Sequence, residues 1–90
     1  MIARKFLVRG NVQGVGFCYF AQRSAARHQV FGYVRNCEDG TVEAFAQGTL
    51  NQVEQFRDDL SAGPRYSRVA EVEEIVTDPS PAFKSFRIER

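Results

Sequence analysis

The run G-N-V-Q-G-V-G-F-C at residues 10–18 puts three glycines within seven residues, directly ahead of a helix-like segment. Glycines so placed let the chain take positive φ and aim successive main-chain N–H groups at one point. A helix start behind them adds unpaired N–H groups and the positive end of the helix dipole. Together these features suit a small anion, phosphate or carboxylate. A tight strand-to-helix turn alone would need one glycine, so three, with Val15 and Phe17 set among them, favour the cradle. No G-K-[ST] follows, which excludes a Walker loop, and G-V-G-F-C-Y lacks the third glycine of a dinucleotide fingerprint.

Few other residues offer chemistry. Asn36 ends G-Y-V-R-N, where an asparagine commonly leads into a turn. Its amide could equally hold one water between donor and acceptor. Cys18 has three readings: a small, partly buried residue that is merely tolerated; a redox-reactive thiolate, since a helix N-terminus lowers a thiol pKa; or a phosphocysteine nucleophile, which would need an arginine to complete it. Cys18 and Cys37 lack metal-ligand spacing, and neither their expected directions nor a reducing compartment favours a disulfide. The only histidine, His28, falls at the end of an apolar helical stripe and reads as a core-edge or helix C-terminal residue. Glu71, Glu73 and Glu74 read as a solvated strand face.

The elements that must position these residues follow from periodicity. Residues 3–9 read as a strand with Phe6 and Val8 on one face. Phe17, Phe20, Ala21, Ser24, Ala25 and His28 mark one face of an amphipathic helix. Residues 30–37 are rich in β-branched and aromatic side chains, and E-D-G-T predicts a hairpin turn centred on Asp39-Gly40. Residues 41–47 alternate Val42, Ala44 and Ala46 against Glu43, Phe45 and Gln47. Thr49 and Gln52 form a capping box for a second helix with Val53, Phe56 and Leu60 inward, stopped by Gly63 and Pro64. Residues 68–77 and 83–90 read as closing strands on either side of D-P-S-P. This order predicts an α+β fold, a ferredoxin-like split β-α-β sandwich with an antiparallel-rich sheet and two helices on one face.

Composition bounds the rest. Ninety residues, 43% of them hydrophobic, make one small domain over residues 1–90 with a modest core. Twelve basic against eleven acidic residues give a net charge of +1, without the lopsided field of a nucleic-acid binder. The third strand also lacks the stacking aromatics of an RNA-recognition module. No apolar run is long enough to span a membrane, and M-I-A-R-K-F-L-V-R-G lacks a signal-peptide pattern, so a cytoplasmic monomer is expected.

V-R-G-N-V-Q-G-V-G-F at 8–17, G-Y-V-R-N at 32–36 and D-G-T-V-E-A-F-A-Q-G at 39–48 resemble the acylphosphatase family. G-P-R-Y-S-R-V at 63–69 and F-K-S-F-R-I at 83–88 extend the resemblance over essentially the whole chain. It implies hydrolysis of acyl phosphates to carboxylate and phosphate, without metal or cofactor. It implies that main-chain N–H groups of Gln13, Gly14, Val15, Gly16, Phe17 and Cys18 hold the phosphoryl oxygens, and that Asn36 orients the attacking water. Most members of the family carry an arginine after G-V-G-F; here that position is Cys18. Arg9, Arg23 and Arg35 are poorly placed to substitute. The resemblance therefore predicts weakened catalysis, with a catalytically silent phosphate- or acyl-phosphate-binding module as the alternative.

Overall fold

The computed structural model describes residues 1–90. The chain order is β1 (Ile2–Asn11), α1 (Phe17–His28), β2 (Phe31–Asn36), β3 (Val42–Gly48), α2 (Leu50–Ala62), β4 (Arg68–Thr77) and β5 (Phe86–Glu89). The strands form one sheet in the order β4-β1-β3-β2-β5. All pairings are antiparallel except that of β5 with β2. This is the expected ferredoxin-like arrangement with one strand added at the β2 edge.

The core lies between the sheet and the two helices. Phe6, Val8, Val34, Val42, Ala44 and Ala46 face Phe17, Ala21 and Ala25 of α1 and Val53, Phe56 and Leu60 of α2. Phe56 sits at the centre, its ring 6.0 Å from that of Phe6 and 5.4 Å from that of Phe86. Phe20 and His28, expected on the inward stripe of α1, are only half-buried. His28 instead meets Asp59 of α2 at 3.0 Å, and Ser24 donates to the same carboxylate at 2.6 Å. These two bonds tie the helices together through one acidic group and give His28 a structural role.

Three local readings are refined. The β2–β3 turn has Glu38 and Asp39 at its centre, with Gly40 following at φ 92°. Gly40 N–H donates to Cys37 O, and Cys37 N–H to Thr41 O. A left-handed residue after the turn is the geometry of a three-residue hairpin loop, so the glycine sits one step later than expected. β3 is buried along both faces, including Glu43, Phe45 and Gln47. Tyr33, Phe45 and Phe83 cluster over the second face, with ring centroids 5.1–5.9 Å apart. Gln47 donates to Ser80 O at 2.9 Å and accepts from Ser80 N–H at 2.7 Å. Phe83 is thus drawn out of the last strand, which begins at Phe86. The β4 glutamates divide: Glu71 and Glu73 pair with Arg9, whereas Glu74 pairs with Arg4 and Arg57.

Candidate active site

The glycine loop leaves β1 and enters α1 through Gly14 at φ 75° and Gly16 at φ 76°. A Cβ at either position would meet nothing within 4 Å, so backbone conformation, not crowding, requires glycine there. Gly16 is the N-cap of α1 in a left-handed conformation and offers no side-chain cap. The first hydrogen bond of the helix runs from Phe20 N–H to Gly16 O at 3.0 Å. Between Gln13 and Tyr19, no main-chain N–H makes a hydrogen bond of ordinary geometry within the chain. These donors, at the positive end of α1, form an open patch suited to oxyanions.

The loop is fixed by a side chain that pattern reading treated only as a main-chain contributor. Gln13 Nε2 donates to Cys37 O at 2.7 Å and to Thr41 O at 2.9 Å. It thereby bolts the glycine loop to the β2–β3 turn. No sequence periodicity marks this role, because its partners lie 24 and 28 residues away.

Asn36, at the end of β2, is exposed and comes to the same place. The Cys18 thiol donates to Asn36 Oδ1 at 3.4 Å, across the mouth between α1 and β2. Cys18 and Cys37 are both free thiols. Burial pushes the Cys18 thiol above its ordinary range, and the nearby Cys37 adds to the effect. The expected lowering by the helix end is therefore reversed. Cys18 is half-buried against the core, and burial disfavours a thiolate. A neutral thiol is a poor nucleophile, so the raised pKa speaks against phosphocysteine and redox-thiolate chemistry at neutral pH.

The arginines that could have supplied a cation are engaged elsewhere. Arg9 reaches Glu73 at 3.1 Å and Glu71 at 3.8 Å. Arg35 points to the far face of the sheet and reaches Glu43 at 3.2 Å. Arg23 is exposed on the outer side of α1. No three His, Cys, Asp or Glu side chains converge into a set that could hold a metal ion. No helix is long and apolar enough to cross a membrane.

Comparison with known proteins finds one family. The family model "Acylphosphatase" matches residues 4–88. An acylphosphatase of Geobacillus thermodenitrificans is 44% identical over 82 residues, spanning 91% of this chain and 87% of the relative. One of Bacillus licheniformis is 40% identical over 88 residues, 98% of each. The crystal structure of acylphosphatase from Bacillus subtilis superposes with a TM-score of 0.95 at 32% identity, covering the whole of both chains.

Proposed function

Since the chain belongs to the acylphosphatase family, we propose that it splits acyl phosphates through the Gln13–Cys18 cradle and Asn36, at a rate held down by Cys18. The observation that carries this reading is the patch of uncommitted N–H groups from Gln13 to Tyr19, ending beside Asn36. In this reading the cradle takes the phosphoryl oxygens and Asn36 holds a water in line with the scissile bond. The water oxygen attacks phosphorus, and the bond from phosphorus to the acyl oxygen breaks. The electron pair leaves on the carboxylate, and a water proton passes to the phosphoryl oxygens. A carboxylate with a pKa of about 4 needs no general acid to leave, so positioning and charge stabilisation do the catalysis.

Charge stabilisation is what this chain is short of. Main-chain donors and the helix end supply partial charges, but Cys18 supplies no cation and stays neutral. By comparison with loss of one oxyanion-hole donor, the deficit is about 3–4 kcal/mol, or about 100- to 1,000-fold in rate. The cradle reads the phosphoryl group, so the acyl part is weakly specified. A cytoplasmic monomer, one domain over residues 1–90, without metal, cofactor or nucleic-acid partner, completes the proposal.

Benzoyl phosphate hydrolysis tests it. The chain should turn over slowly, Asn36→Ala should abolish turnover, and Cys18→Arg should raise it by the factor above. An unchanged rate in Cys18→Arg would overturn the role given to Cys18. Saturable phosphate binding with hydrolysis no faster than buffer, in both proteins, would identify a silent binding module instead.

A further inference from the structure

A groove of about 800 Å³ runs along the outward side of α1, where the helix meets the starts of β2 and β5. Its volume falls in the range of small-molecule sites, about 300–1,000 Å³. Gln13–Cys18 and Asn36 are not among its lining residues; Tyr19, whose main-chain N–H closes the donor patch of the first site, also stands at one end of the groove. The apolar part comes from Tyr19, Ala25, Ala26, Val30, Phe31 and Phe86. Tyr19 and Phe31 remain 64% and 39% exposed, a large aromatic area to leave in water on so small a protein.

The charges around it are one-sided. Arg23 and Lys84 line the groove, and no carboxylate does. Neither cation takes part in an ion pair, as is also true of Lys5, Arg65, Arg68 and Arg90. Amides of Gln22, Gln29 and Gln52 supply the remaining polarity. Gln29 is the only non-glycine residue with positive φ, 58°, at the C-cap of α1.

We propose that this groove is a second binding site, for organic carboxylates with a hydrocarbon body. The body covers the apolar wall, and the carboxylate takes Arg23 or Lys84, with the glutamine amides as further donors. The groove lies beside the helix and not at its N-terminus, so it lacks the converging main-chain donors a phosphate would use. Unpaired cations on mobile stems above an apolar wall instead fit a planar monoanion with an apolar tail.

The test is an amide-resolved NMR titration with 4-phenylbutyrate, using uncharged 4-phenylbutyramide as the matched control. The acid should bind saturably, with shifts at Ala26, Gln29–Phe31 and Lys84–Phe86, and inorganic phosphate should not displace it. Replacing both exposed cations, Arg23→Ala with Lys84→Ala, should weaken the acid about tenfold and leave the amide control unaffected. Ala26→Trp, at an exposed helix position, should block both ligands while benzoyl phosphate turnover persists. Equal affinity for acid and amide, shifts confined to Gly14–Cys18, or shifts that track protein concentration alone, as for a second copy seated there, would each overturn the proposal.

Discussion

α2 opens with Thr49, whose hydroxyl accepts from Gln52 N–H at 3.2 Å while the Gln52 amide oxygen takes Thr49 N–H at 2.9 Å. α1, with 12 residues against 13, opens on left-handed Gly16 with no side-chain cap at all. The two helices pack side by side on one sheet, so environment alone does not explain the difference. Capping a helix start satisfies donors that would otherwise wait for water or a ligand, and contributes about 1 kcal/mol. α2 takes that stability. α1 forgoes it and keeps its donors free beside Asn36. The start of α1, with left-handed Gly14 and Gly16, thus leaves donors open to a ligand, whereas the capping box of α2 closes them.

The contrast can be broken at α1 first. Beyond the rate gain expected from Cys18→Arg, Gly16→Ala should have the largest effect. A Cβ in the left-handed region costs about 1–2 kcal/mol, so urea unfolding should move to lower denaturant. Benzoyl phosphate turnover should fall as well, because relief of the strain would turn the N–H groups away from one another. If turnover survives while stability drops, the cradle geometry is not what catalysis uses.

Thr49→Ala is the matched change at α2 and should cost about 1 kcal/mol of stability with turnover intact. A loss of activity there would show that the capped end is coupled to the site, contrary to the division drawn above. The smallest effect concerns Cys18 itself. At an open helix end the dipole lowers a thiol pKa, while burial and Cys37 raise it. Alkylation by iodoacetamide, followed at Cys18 by mass spectrometry, should rise only at pH values above those needed in the unfolded chain. A midpoint below the unfolded one would mean that the free helix end outweighs desolvation.

Much of this was legible because it is local. The period of α1, the Thr49–Gln52 box and the span of β4 depend on residues within a few turns of one another. The glycine loop and Asn36 were also readable by residue type, and the fold brings Asn36 within 3.4 Å of the Cys18 thiol. What escaped depended on distant partners. The alternation in β3 told which face Glu43, Phe45 and Gln47 take, but not that Ser80 and Phe83 would return to cover that face. The side-chain role of Gln13 needed the carbonyls of Cys37 and Thr41. Cys18 reads correctly as a small, partly buried residue, but the direction of its thiol pKa does not follow from the helix end alone. A helix end is visible in sequence, whereas the depth to which a side chain sinks is a property of the assembled fold.

The position of β1 between β3 and β4 also governs how the protein comes into being. The strand translated first is stitched on one side to residues 42–48 and on the other to residues 68–77. Its last two residues, Gly10 and Asn11, pair with Val69 and Arg68. On the ribosome, β1 therefore spends most of synthesis with one edge bare, the condition in which strands mispair. The loop that follows those two residues gains its sheet-side anchor only when β4 has emerged. In a nascent chain, the glycine loop can thus gain its Gln13 bonds to Cys37 and Thr41 first, and the strand-edge pairing beside it only later.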